Sequence, residues 1–316
     1  IGTASPNPAV GAVVVREGEV VGEGWTQPPG CSHAEVMSLK EAGTKAIGAT
    51  LYVSLEPCCH IGKTPPCTDI IIASGVRKVC ISIQDPNPVV NGRGVRLLNE
   101  AGIETILGDG EKEACELTEA YRKFILTKRP FVTVKYAMSL DGKIATQTGE
   151  SQWITGADAR DYVHRLRAES DAIMVGINTV IVDNPRLTAR GEMLGVGVKQ
   201  PLRVVVDSHS RIPLNAALLS EPGNVIIACV DGSGPILHSL KGTEVIALPE
   251  MDGMVDLTAL FKFLGDRDIT SILVEGGSIL HGSLFDQDLV DKVIAFVAPV
   301  IVGGSAAPSP VAGLGA

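Results

Sequence analysis

The chain lacks any excess of positive charge, with 27 Lys and Arg against 36 Asp and Glu, a net charge of −9 over 316 residues. A broad surface that neutralises a phosphate backbone is therefore excluded, while a local basic pocket for one phosphate is not. No nucleic-acid partner is expected. No apolar run approaches the roughly 20 residues that a membrane-spanning helix needs, and no charged-then-apolar leader opens the sequence, so no membrane partner and a cytoplasmic location are expected. There is no repeat of fixed period, and the only biased tract is the loop-like "GGSAAPSPVAGLGA" at 303–316. No GxGxxG follows a first strand, which argues against a Rossmann domain. The seven cysteines are an odd number, clustered in a way that fits no disulfide framework, and such a cluster points to metal or catalysis.

What is present is ordinary globular material, 45% hydrophobic and 20% charged, of a length that suggests about two domains. Short β-rich runs alternate with helical segments, the pattern of an α/β protein. In the first part the expected strands are 9–15, 50–56, 76–83 and 103–107, and the expected helices 33–42, 66–74 and 111–126. "TKRP" at 127–130 stops the last helix, because Pro cannot continue one. A domain boundary is placed there, giving domains 1–128 and 129–316. The second part opens on the strand "FVTVKYAMS" and continues with strands at 172–176, 202–207, 224–230, 243–248, 271–276 and 292–302.

Although the chain has only six histidines, two of them fall among its clustered cysteines, in "CSHAEV" (31–36) and "EPCCHIGKTPPC" (56–67). Ser32 and Glu35 have the spacing of a capping box, which accounts for both as the start of a helix. It does not account for His33, nor for Pro57-Cys58 and Pro66-Cys67. A Pro in a first helical turn puts the following Cys at a helix N-terminus, where the dipole and free N–H groups favour a thiolate. One imidazole and two thiolates make a three-ligand zinc set of the kind that leaves a fourth position open for catalysis. Glu35, two residues after His33, can act beside the metal without binding it. This is the H-x-E and later P-C-x-x-C pattern of zinc deaminases, except that Cys67 follows Cys58 by nine positions instead of three. A closed structural site with Cys59 or His60 as fourth ligand is the alternative, and it leaves Glu35 unused.

The motifs "SPNPAVGAVVV", "HAE", "LYVSLEPCCHIGKTPPCTDIIIASGV" and "DPNPVVNGRGV" closely resemble the first half of the bifunctional riboflavin-biosynthesis deaminase/reductases, the RibD family. "PFVTVKYAMSLDGKIAT", "GESQWIT", "DAIMVGINTVIVDNPRLTAR" and "VEGG" resemble its reductase half, in the same order. The resemblance covers nearly the whole chain. It implies a cytidine-deaminase-like three-layer α/β/α domain followed by a dihydrofolate-reductase-like α/β domain, with one zinc ion in the first and NADPH in the second. The implied reactions are deamination of a phosphoribosylamino-diaminopyrimidinone and reduction of its ribosyl group to ribityl. A deaminase with a silent reductase-like scaffold is the competing reading, disfavoured by the intact second-half motifs.

Carried over by position, the resemblance makes His33, Cys58 and Cys67 the zinc ligands and Glu35 the proton shuttle. It implies substrate contacts at Asn7, His60 and Lys63 in the first half, and at Ser151, Arg167, Leu187, Arg190 and Glu275 in the second. Cofactor contacts are implied at Ala137, Trp153, Thr179, Asp183 and Ser208. Gly276 and Gly277, between a strand and a helix, stand where backbone N–H groups can cradle a phosphate. Without the resemblance, Asn7 reads equally as a turn residue, Lys63 as a solvated loop residue, Trp153 as a core anchor, Arg167 as a surface ion-pair partner and the glycine pair as a tight turn. Lys135 and Asp141 lie in family-like motifs with no role assignable from sequence. The resemblance further implies a helix before "SPNP" and more structure after "VGG"; neither is in these residues, so a truncated first helix and C-terminus are expected. A homo-oligomer is expected.

Overall fold

The structure, a computed structural model, describes residues 2, 4–150, 156–191, 198–230 and 242–314. Ser151 and Trp153 lie outside the described residues. The chain divides into two compact units, Thr3–Lys128 and Arg129–Ala316, each taken by itself below.

The N-terminal unit runs β1 (Gly11–Arg16), β2 (Glu19–Trp25), α1 (Ala34–Ala42), β3 (Thr50–Leu55), α2 (Cys67–Ser74), β4 (Lys78–Ile83), α3 (Arg93–Glu100), β5 (Glu104–Leu107), α4 (Glu111–Leu117) and α5 (Glu119–Thr127). Its five-stranded sheet has the order β2-β1-β3-β4-β5. The β1 strand pairs antiparallel with β2 and β3, and β3, β4 and β5 run parallel. Strand residues Val14, Leu51, Val53, Val79 and Ile81 share one core with Ala34 and Leu39 of α1, Ile71 of α2 and Leu98 of α3. A smaller cluster, Leu55, Ile83 and Ala114, packs with Cys115 and Tyr121 of α4 and α5.

Several elements differ from the sequence expectation. The β2 strand, which carries Gly22 and Gly24, is absent from it. Both are sites of close approach: a Cβ at Gly22 would lie 2.2 Å from Ser38 O, and one at Gly24 2.2 Å from Ala34 O. Their bare backbones let α1 lie directly on β2. The expected 111–126 helix is two helices, broken at Thr118, whose hydroxyl bonds back to Ala114 O at 2.7 Å. The α3 helix, starting from left-handed Gly92, was not expected. No Ser32–Glu35 capping box forms. His33 is the N-cap of α1 and makes no side-chain cap bond.

The C-terminal unit runs β6 (Phe131–Ser139), α6 (Ala157–Glu169), β7 (Ala172–Gly176), α7 (Ile177–Asp183), β8 (Leu202–Val206), α8 (Ala217–Ser220), β9 (Val225–Val230), β10 (Thr243–Leu248), a small β11–β12 hairpin (Glu250–Met251, Met254–Val255), α9 (Leu257–Gly265), β13 (Ser271–Gly276), α10 (Ser278–Asp286) and β14 (Lys292–Ala298). The strand expected at 292–302 ends at Ala298. Seven strands form one parallel sheet, ordered β10-β9-β8-β7-β13-β6-β14. Strand alternation assigns its two faces. Val132, Val134, Met174, Val204, Ile226 and Val274 pack against α9 and α10. Ile173, Val175, Val205 and Ile227 pack against α7 and α8.

Candidate active sites

In the N-terminal unit, His33, Cys58 and Cys67 converge, with one donor atom from each lying within 4.8 Å of the others, and they are the group of this kind among the described residues. Three elements deliver them: the N-cap of α1, the segment after β3 and the first residue of α2. The expectation of a helix start at both Pro-Cys pairs holds for Cys67 alone. Cys58 lies in irregular chain after β3, and it is the N–H of Cys67, at the start of α2, that reaches its sulfur at 3.3 Å. The Cys67 thiol, the His33 ring and this N–H hold the Cys58 thiol well below the ordinary range, against the opposing effect of burial. Cys67 is pushed up in return, by Cys58 and by burial.

His33 Nδ1 stands 3.2 Å from Cys67 Sγ and 3.6 Å from Cys58 Sγ, while Nε2 faces Thr64 Oγ1 at 3.3 Å. A hydroxyl on one ring nitrogen leaves the other aimed at the sulfurs, which is the arrangement a metal-ligating histidine needs. The donor set thus fits zinc: two sulfurs, one nitrogen and a fixed imidazole. Thr64 has no signal in the sequence pattern. Cys59 and His60 do not join the set; Cys59 turns its sulfur to Val89 O at 3.8 Å.

Glu35, in the first turn of α1, is 4% exposed. Burial pushes its carboxyl above the ordinary range. His60 has a buried Nδ1 with no hydrogen-bond partner. The side-chain amide of Asn7, in the turn before β1, makes no hydrogen bond among the described residues, and Lys63 is exposed. Behind Cys58, buried Glu56 accepts backbone N–H groups from Asp85 (3.2 Å), Gly92 (2.9 Å), Gly94 (2.9 Å) and Val95 (3.2 Å). One carboxylate therefore ties the "DPNPVVNGRGV" segment to the chain that carries Cys58.

In the C-terminal unit a cavity of about 400 Å³ opens among β6, β7, β13, α6 and α7, at the carboxyl end of the sheet. Arg167, Leu187, Arg190 and Glu275 line it, and so do Ala137, Thr179 and Asp183. At its floor Glu275, 5% exposed at its side chain, is held by Arg167, with Lys135 Nζ 3.7 Å away. Burial opposes ionisation of Glu275, but the two cations outweigh it and keep its carboxyl below the ordinary range. Burial in turn lowers Lys135. A lysine within a core strand is the signal by which Lys135 could have been found. Asp141, by contrast, is structural: it accepts the Ser139 hydroxyl at 2.6 Å and the N–H groups of Val302 (3.0 Å) and Gly303 (2.8 Å).

Gly276 and Gly277 have φ of 159° and 75°, and a Cβ on either would lie 3.2–3.4 Å from Thr179 Oγ1. The strand-to-helix turn is thus bare where Thr179 crosses it. Ser208 does not line the cavity. It is buried, and its hydroxyl accepts the Val255 N–H at 3.0 Å.

The comparisons with known proteins agree with this division. Residues 2–83 match the cytidine and deoxycytidylate deaminase zinc-binding region, and 130–316 match the RibD C-terminal domain. The riboflavin biosynthesis protein RibD of Aquifex aeolicus is 44% identical over 304 residues, 96% of this chain and 83% of that protein. The Acinetobacter baumannii RibD structure superposes with a TM-score of 0.87 at 38% identity, over 98% of this chain and 85% of that one. A diaminohydroxyphosphoribosylaminopyrimidine deaminase/5-amino-6-(5-phosphoribosylamino)uracil reductase from Thermotoga maritima gives 0.84 at 39%, over 96% and 84%. The chain belongs to the RibD family, the bifunctional deaminase/reductases of riboflavin biosynthesis that act on a small pyrimidine, with zinc in the deaminase half and NADPH in the reductase half.

Proposed function

We propose that residues 1–128 carry the deamination and 129–316 the reduction, with the roles divided as follows. His33, Cys58 and Cys67 hold zinc, which when bound lowers the pKa of a water toward about 7. As the water oxygen adds to the ring carbon that bears the amino group, Glu35 moves one water proton to the pyrimidine ring nitrogen; it then moves the proton of the added hydroxyl to the amino group, and the C–N bond breaks to release ammonia and leave a carbonyl. Asn7 meets the pyrimidine with its side-chain amide and His60 with its ring, whose buried Nδ1 has no hydrogen-bond partner among the described residues. Lys63 meets the phosphate as a point charge. The observation that carries this reading is the convergence of one imidazole and two sulfurs beside a buried carboxylate.

In the second unit, Arg167, Arg190 and Lys135 receive the phosphoribosyl group against Glu275 and Leu187, and the resemblance adds Ser151 as a further contact. Ala137, Thr179, Asp183 and the Gly276–Gly277 turn receive NADPH, and the resemblance adds Trp153. Arg167, Leu187, Arg190 and Glu275 line the same cavity as Ala137, Thr179 and Asp183, as hydride transfer between substrate and cofactor requires. The net charge of −9 supports an enzyme without a nucleic-acid partner; among the described residues no helix is long and apolar enough to cross a membrane. The half-exposed Val293 and Val297 on edge strand β14 support a homo-oligomer.

Incubating the purified chain with the diamino substrate and NADPH, and following ammonia and cofactor absorbance separately, tests both halves. Ammonia release followed by NADPH oxidation is expected. Ammonia without oxidation would leave the second unit a silent scaffold.

A further inference from the structure

The carbonyl oxygen of Thr188 carries two donors from one helix. His164 Nδ1 lies 3.0 Å from it, and Arg167 Nη1 donates to it at 3.1 Å. Residues 164 and 167 of α6 are three apart and share a helix face. A carbonyl oxygen only accepts, so the ring proton of His164 is on Nδ1. Thr188 then passes the anchorage on, because its hydroxyl accepts from Arg190 Nη1 at 2.8 Å.

The segment so anchored is one that needs holding. Asn184 and Leu187 have φ of 43° and 53°, a region L side chains rarely adopt and keep only where their surroundings impose it. Leu187 is nonetheless 3% exposed. Arg167 reaches this carbonyl through Nη1 alone, since its Nε and Nη2 are committed to Glu275. His164 adds a second donor from a separate point on the helix. Its ring also lines the cavity beside Leu187 and Arg190.

We propose that His164 is a positioning residue for reduction: by fixing the Thr188 carbonyl jointly with Arg167, it sets Leu187 and Arg190 where the phosphoribosyl group is received. The inference rests on the reading that this cavity binds the deaminated phosphoribosyl pyrimidine.

The test is steady-state kinetics of the full chain with the deaminated substrate, for His164→Ala and for His164→Asn, whose amide nitrogen can stand in for Nδ1. Loss of one neutral hydrogen bond should raise the substrate KM of the alanine variant about tenfold, with kcat changed by less than about twofold. The KM for NADPH and the melting curve should stay at parental values, and His164→Asn should recover most of the substrate KM. On the dephosphorylated substrate all three proteins should behave alike. A parental KM in His164→Ala, an equal loss on the dephosphorylated substrate, or no recovery in His164→Asn would overturn the proposal. A parent protein that oxidises no NADPH with the deaminated substrate would overturn the reading of the cavity itself, and this proposal with it.

Discussion

Arg167 grips Glu275 with two hydrogen bonds, Nε to Oε1 at 2.5 Å and Nη2 to Oε2 at 2.8 Å, on a carboxylate only 5% exposed. Because the folded pKa of Glu275 is depressed, the pair contributes stability above the unfolded carboxyl value of about 4.3 and loses it as pH falls through the lower folded value. Glu275→Gln also leaves Arg167 and Lys135 facing each other without a counter-charge, which should destabilise the C-terminal unit at neutral pH by roughly 3 kcal/mol. Hydrogen exchange in β13 followed from pH 7 downward should show the parent weakening below about pH 4 and the variant changing less over that range. Parallel pH dependences in the two proteins would remove Glu275 from this account of acid sensitivity.

Thr64 is expected to matter through the imidazole it faces. Thr64→Val removes the hydroxyl on His33 Nε2, and loss of such an outer partner typically weakens metal binding about 10- to 100-fold. Competition against a chelator of known zinc affinity reads this directly. Parental affinity in the variant would show that the imidazole is held by its packing alone.

Glu56 presents two carboxylate oxygens to four N–H groups. Glu56→Gln replaces one oxygen with a donor and strands two of them, at about 1–3 kcal/mol for each buried group left unpaired. The N-terminal unit should melt earlier, and exchange at Gly94 and Val95 should quicken. An unchanged melting curve would mean that water takes over the orphaned donors.

The metal set was legible because its chemistry is written in residue types, and one histidine followed by two Pro-Cys pairs has few other uses. The second cavity was legible by resemblance, through Arg167, Leu187, Arg190 and Glu275. What escaped were roles played through the backbone. Gly22 and Gly24 look like interruptions of a strand until α1 is seen lying on them. His164 acts on a main-chain carbonyl, and Thr64 on a ring nitrogen, and neither contact leaves a spacing pattern. The helix start assigned to Cys58 failed for a related reason. A proline can open a helix, but here the chain stays irregular after β3, and the N–H from the start of α2 comes to Cys58 across nine residues.

The most direct measurement is on Glu35→Gln, with ammonia release from the diamino substrate and NADPH oxidation with the deaminated substrate recorded on one preparation. The Ser32–Glu35 capping box does not form, so the substitution should cost the fold little, with only a helix-dipole contribution of roughly 0.3 to 1 kcal/mol at stake. In the proposed role of proton carrier, Glu35 would supply general acid/base catalysis worth about 10²- to 10⁴-fold. The account predicts that ammonia release falls by that factor, with zinc content and NADPH oxidation near parental values. Parental ammonia release by the variant would contradict the deaminase mechanism.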